Sequence, residues 1–278
     1  MHYIFIGGAP RTGTTLLNSL LCQEPTTNPL MAEASYLAYV VSTYHRGKRV
    51  WRVEGGAYFE DLQDYADFSR SWVMAFLEKT AQRYPDAQHL VLKSPELTKY
   101  FPDLFELVPQ AQFLILLRDP CDAIASLMEV GDQLKQTQQS PTLVKLLERG
   151  DMKGLAQFFC SYYHPCHNFE QPQFWQQTRY VRYEGLVHYP QVALRQLEGF
   201  TGLRLSQTNP HQPWRSDLDF AQLPERYRPW WSTSLYGQGV SSSSVGRYRE
   251  ILSPEQVSLI RQVCRPLGFW EGEEGNRQ

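Results

Sequence analysis

Three absences narrow this chain before any motif is considered. No apolar run approaches a membrane span: the stretch 113–117 is among the longest, against the roughly 20 residues a spanning helix needs. A first strand is expected from residue 2, which leaves no space for a leader or anchor, so a cytoplasmic protein without membrane contact is expected. Charge of one sign is also lacking, since 27 Lys and Arg face 29 Asp and Glu for a net charge of -2. Such a balance cannot neutralise a nucleic-acid backbone, so no nucleic-acid partner is expected and cations must be used locally. The five cysteines, Cys22, Cys121, Cys160, Cys166 and Cys264, include no Cys-x-x-Cys pair, and their odd number argues against a disulfide framework. Cys160, His164, Cys166 and His167 crowd together, but they share a stretch with Leu155, Phe158, Phe159, Tyr162 and Tyr163 at helical spacing. Structural zinc sites draw on separated ligand pairs, and no metal is expected here.

Four short β-like segments are present, at 3–6, 89–92, 112–117 and 179–182. Helical patterns separate them, over 68–82 with Trp72, Val73, Phe76 and Leu77 on one face, and over 190–200 before Gly202. A last helix is marked by Ser253 as N-cap, Pro254 at the first position, Gln256 completing a capping box, and Gly268 beyond the end. Strands alternating with helices predict an α/β fold, a doubly wound, mostly parallel sheet covered on both faces. The 278 residues suit one such domain. Irregular loops are expected at about 30–66, 131–153 and 205–245, the last rich in aromatics such as Trp214, Tyr227, Trp230, Trp231 and Tyr236. Assembly into oligomers is left open.

The first strand leads into Gly8-Ala9-Pro10-Arg11-Thr12-Gly13-Thr14-Thr15 and then a helix carrying Leu16, Leu17, Leu20 and Leu21. Gly-x-x-x-x-Gly spacing lets backbone N–H groups curl around an anion at the positive end of a helix. A nucleoside-triphosphate loop would continue with lysine, which reaches the β- and γ-phosphates. Here the residue is Thr14. The cradle is kept without the charge meant for a triphosphate, so a nucleotide with a shorter anionic group at its 5′ end is expected.

Ligands of open α/β sheets bind outside the carboxyl ends of the strands. The first strand delivers Arg11, the second ends at Lys93, the third at Arg118 and the fourth at Tyr183. Ser126 lies on the helix after Arg118, and an arginine with a nearby hydroxyl can grip a second phosphate. A nucleotide with phosphate at both ends is implied.

These residues resemble sulfotransferases that use 3′-phosphoadenylyl sulfate. The likeness is carried by Pro10-Arg11-Thr12-Gly13-Thr14-Thr15, by the Arg118 and Ser126 pair, and by Val181-Arg182-Tyr183-Glu184-Gly185-Leu186, in order along the chain. It implies that the first loop holds the 5′-phosphosulfate, that Arg118 and Ser126 hold the 3′-phosphate, and that Tyr183 lies near the adenine. It also implies that Lys93 stabilises the bridging oxygen as the sulfuryl group leaves, beside Arg11, and that Glu33 acts as base, as in tyrosylprotein-type and related bacterial enzymes. Adenosine 3′,5′-bisphosphate would be the product. The histidine of small-phenol enzymes is absent, since Ser94 and Pro95 follow Lys93. The Arg-Lys-Gly of many cytosolic members is replaced by Ser241 to Ser244, Val245, Gly246 and Arg247, where Ser242, Ser243 and Arg247 are the candidates for binding the 3′-phosphate.

The function expected is sulfuryl transfer to a hydroxyl or amine of a small molecule or carbohydrate, without metal. A small-molecule kinase with a degenerate loop and a non-catalytic nucleotide-binding adaptor, using its aromatic segment 205–240 to hold a partner, are the competing readings.

Overall fold

A computed structural model of the chain describes residues 1–137, 140–212, 214–218 and 239–270. Its centre is a parallel sheet of β1 (His2–Gly8), β2 (His89–Lys93), β3 (Gln112–Leu117) and β4 (Thr178–Arg182), in the order β2-β1-β3-β4. Each strand matches an expected segment to within a few residues. Ile4 pairs with Val91 on one side and with Gln112 on the other, and Leu114 pairs with Arg179. β1, β2 and β3 are almost fully buried because both faces are covered, which is why they read as apolar runs, whereas Arg179 and Arg182 are exposed on the edge strand β4. Tyr3, Phe5 and Phe113 pack to one side, with Phe101, Leu104 and Phe159. Ile4, Ile6, Leu114 and Leu116 pack to the other, with Leu17, Leu20, Leu186 and Leu194. After β2 the chain crosses β1 to place β3 on its far side. The carboxyl ends of β1 and β3 therefore flank the crevice where open sheets bind ligands.

Helices α1 (Thr14–Leu21), α2 (Ser35–Glu54), α3 (Leu62–Ala81) and α4 (Phe101–Leu107) surround the first half of the sheet. In the second half follow α5 (Pro120–Glu129), α6 (Gly131–Thr137), α7 (Pro141–Arg149) and α8 (Met152–Cys160). The short α9 (His164–His167) and α10 (Pro172–Gln176) precede β4, and α11 (Tyr183–His188) and α12 (Pro190–Thr201) follow it. The last helix, Pro254–Cys264, carries the expected Ser253–Gln256 capping box, and Gly268 closes the following turn at φ 67°.

Two stretches expected to be irregular are helical. Within 30–66, Leu37, Ala38, Val41 and Tyr44 form the buried stripe of α2, a 3.6-residue pattern hidden among polar neighbours. α3 begins earlier than expected because Asp61 caps it, accepting from the Asp64 amide at 2.8 Å. Within 131–153, the polar composition is that of solvated helices, since Gln, Lys and Glu are good helix formers, and Leu134 and Leu143 supply the buried contacts. The segment at 205–245 is irregular where it is described, apart from a single helical turn at Leu205–Gln207. Tyr227, Trp230, Trp231 and Tyr236 lie outside the described residues. Among the described residues no helix is long and apolar enough to cross a membrane.

Candidate active site

The phosphate loop is fixed from below by buried side chains that no motif announces. Thr98, in the turn after β2, accepts from the Gly8 amide at 2.7 Å, and the Tyr163 hydroxyl accepts from the Ala9 amide at 3.2 Å while donating to the Leu116 carbonyl at 2.9 Å. Burial raises the Tyr163 phenol's pKa, keeping it protonated as a donor. Thr12 is buried too, its hydroxyl donating to the Ala9 carbonyl at 2.7 Å. Its side chain therefore closes the loop.

Two backbone positions set the cradle. Arg11 adopts φ 69°, and Gly13, the N-cap of α1, adopts φ 94°. A Cβ on Gly13 would lie 2.5 Å from the Tyr183 ring, so glycine is required both for its conformation and for this approach. No side chain caps the N-terminus of α1, which leaves its first N–H groups facing the crevice.

Tyr183 and Arg118 form the wall beyond the loop. The Arg118 guanidinium stacks 4.6 Å from the Tyr183 ring centroid, donates to the Arg11 carbonyl at 2.8 Å and donates to the Ser244 carbonyl at 2.7 Å. Its buried Nε has no hydrogen-bond partner among the described residues. The Tyr183 hydroxyl meets the Ser244 hydroxyl at 2.6 Å. Ser126, expected to share a phosphate with Arg118, accepts from Arg11 Nε at 3.1 Å. Both arginines nevertheless border the same cavity.

On the other side of the loop stand Lys93 and Glu33. Asn28 binds the edge of β2 as a missing strand would, accepting from the Val91 amide at 2.7 Å and donating to the Val91 carbonyl at 3.1 Å. The chain then passes Leu30 and returns to the strand end, where the Ala34 amide donates to the Lys93 carbonyl at 2.9 Å. Glu33 is thereby set opposite Lys93, with Nζ 2.6 Å from Oε1. The Lys93 side chain is 1% exposed and Glu33 31% exposed. Glu33 borders the cavity, and Lys93 sits behind it. Farther back, Glu96 accepts from Tyr162, whose phenol is pushed up by burial and then by the Glu96 charge.

The crevice between these walls is a cavity of about 370 Å³, within the size range of small-ligand sites. It brings together Arg11, Gly13, Thr14, Thr15, Glu33, Arg118, Ser126 and Tyr183 from the sequence reading. The serine run divides between the cavity and solvent. Ser242 and Ser243 are exposed, and it is Ser241 and Ser244 that border the cavity, with Arg247. Asp122, which no motif announces, holds this turn from α5 by accepting from the Gly246 amide at 2.7 Å and the Tyr248 amide at 3.0 Å.

The cysteine and histidine cluster serves packing. Cys160 lies 3.4 Å from Cys264, Cys166 donates to the Thr98 carbonyl, and His167 meets the Phe269 ring edge-on. Among the described residues, no group of three or more His, Cys, Asp or Glu gathers in a way that could hold a metal ion.

Comparison with known proteins agrees with this architecture. The putative protein-tyrosine sulfotransferase of Caenorhabditis briggsae is 26% identical over 214 residues, covering 75% of this chain and 68% of that protein. Protein-tyrosine sulfotransferase 1 of Danio rerio is 26% identical over 132 residues, covering 46% of this chain and 36% of that protein. Among solved structures, the sulfotransferase domain of the Synechococcus PCC 7002 olefin synthase superposes with a TM-score of 0.51 at 16% identity, covering 94% of each chain. That last likeness is one of fold. The model of the sulfotransferase family matches residues 3–207, which hold the loop, all four strands and both strand-end arginines, and on that match the chain belongs to the sulfotransferase family.

Proposed function

We propose that this enzyme transfers the sulfuryl group of 3′-phosphoadenylyl sulfate to an acceptor hydroxyl, with Glu33 as the base. The observation that carries the proposal is the position of Glu33, a carboxylate on the cavity wall backed by Lys93 at 2.6 Å and facing the phosphate loop. The loop and the N-terminus of α1 bind the 5′-phosphosulfate, and Arg118 and Ser126 serve the 3′-phosphate. The acceptor O–H gives its proton to Glu33 as its oxygen forms a bond to sulfur. The bond from sulfur to the bridging oxygen breaks in line, and adenosine 3′,5′-bisphosphate leaves. Arg11, the loop amides and Lys93 stabilise the charge that grows on the sulfuryl and leaving oxygens. The sulfuryl group carries less negative charge than a γ-phosphoryl, so the site's own cations suffice and activity is expected to survive a metal chelator.

For the acceptor, the names of the two relatives favour a tyrosine hydroxyl in a polypeptide. A small alcohol or carbohydrate, the acceptor expected from the sequence, is the second reading. Family membership favours both over a kinase or an adaptor.

Thermal-shift measurement with adenosine 3′,5′-bisphosphate against ATP–magnesium tests the donor, because only a ligand that prefers the folded state stabilises it. Stabilisation by ATP but not by the bisphosphate refutes the donor assignment. Transfer of labelled sulfuryl groups to a tyrosine peptide, compared with phenols and sugars, decides between the acceptors.

A further inference from the structure

The cavity has two acids on its wall among the described residues, Glu33 and Glu129. Glu33 has a role above. Glu129 lies one helical turn beyond Ser126 on the same face of α5, at the end of the cavity where the serine turn closes it. Its carboxylate accepts from Arg247. The meeting is built in by the backbone. Arg247 stands between Gly246 and Tyr248, whose amides are both bound by buried Asp122, one turn before Ser126 on α5. The turn cannot withdraw Arg247 from α5 without breaking those bonds.

We propose that Glu129 sets how tightly this site holds the 3′-phosphate of its nucleotide, by competing with that phosphate for Arg247; this rests on the donor reading above. The other cations at this end hydrogen-bond neutral oxygens, Arg118 to two carbonyls and Arg11 to the Ser126 hydroxyl. Arg247 is instead paired with the Glu129 carboxylate. A phosphate dianion entering beside Ser126 meets the Glu129 charge and must draw Arg247 away from it. A nucleotide without a 3′-phosphate leaves the pair in place. Both partners are well exposed, at 48% and 38%, so the pair itself adds little to folding or to preorganisation. Its main effect is therefore opposition to the dianion. Donor and product share the 3′-phosphate, so weakening this grip favours product release, a step that often limits turnover.

The test compares wild type with Glu129→Gln by calorimetric titration of adenosine 3′,5′-bisphosphate and adenosine 5′-phosphate. Removing one like charge at this range should tighten bisphosphate binding by about three- to tenfold at low salt, less at high salt, and leave the monophosphate within about twofold. Equal melting temperatures of the two proteins exclude a folding effect. If Glu129→Gln leaves the ratio of the two affinities unchanged or moves it toward the monophosphate, Glu129 has no such role. A wild type that binds no bisphosphate refutes the donor reading, and this proposal with it.

Discussion

The two ends of the cavity use the same chemistry, an acid paired with a cation, in opposite settings. At one end Lys93 is 1% exposed and Glu33 is 31% exposed, and the pair is tied to the sheet through the Ala34 amide and Asn28. At the other, Arg247 and Glu129 are 48% and 38% exposed and belong to a turn and a helix end. A buried charge that loses its partner is costly, whereas an exposed pair exchanges partners almost freely. The first end is thus suited to holding a base in one place through every turnover. The second is suited to trading one anion for another. Changes at the first end should cost turnover and stability together, and changes at the second should alter nucleotide binding and release with little effect on stability.

The sharpest test of that contrast is Glu33→Gln. Turnover should fall by roughly 10²- to 10⁴-fold, the usual contribution of a positioned general base. Binding of adenosine 3′,5′-bisphosphate should stay within a few-fold. Stability should also drop, by about 1–3 kcal/mol, because the buried Lys93 side chain exchanges a carboxylate partner for a neutral amide. Steady-state kinetics and urea unfolding measure the two effects, and a variant with normal turnover removes Glu33 from the chemistry. Arg247→Ala is the counterpart at the exposed end and should leave stability within about 0.5 kcal/mol.

Arg118 stands between the two ends, and its loss should show features of both. Arg118→Ala removes two hydrogen bonds to carbonyls and a stack on Tyr183. A loss of about 2–4 kcal/mol in stability is expected, with weaker bisphosphate binding. Arg118→Lys should recover only part of either, since an ammonium cannot serve both carbonyls and the ring. Full recovery by lysine would mean that the fork geometry is irrelevant. Gly13→Ala comes next, at about 1–3 kcal/mol, from a side chain at φ 94° pressed on the Tyr183 ring. Differential denaturant melts rank it against Arg118→Ala.

Much of this was legible in the sequence because backbone chemistry writes directly into residue type. The four strands, the glycine that only φ 94° explains and the strand-end arginines are local signals. Thr98, Tyr163 and Asp122 were not legible. They act over 90, 154 and 124 residues of chain, and nothing local distinguishes them from ordinary buried polar side chains. Asn28 was hidden in the same way, since an amide standing in for a strand has no periodicity. Helix α2 failed for a different reason: its stripe of Leu37, Ala38, Val41 and Tyr44 was present but diluted by exposed Tyr36 and Tyr39.

The smallest effects separate neighbours within the serine run. The Ser244 hydroxyl meets Tyr183 at 2.6 Å, and its carbonyl accepts from Arg118. Ser241 accepts from the Ser243 amide at 3.2 Å and so shapes the turn. Ser242 and Ser243 point outward. Ser244→Ala should therefore weaken bisphosphate binding by a few-fold, about the worth of one hydrogen bond. Ser242→Ala and Ser243→Ala should leave it unchanged within about 0.5 kcal/mol, as exposed substitutions usually do. Titration calorimetry on the three variants resolves that order. If either outward serine mattered more than Ser244, the turn would have to reverse its faces when nucleotide binds. The exposed end would then be rebuilt by its ligand, and not merely repaired by exchange of partners.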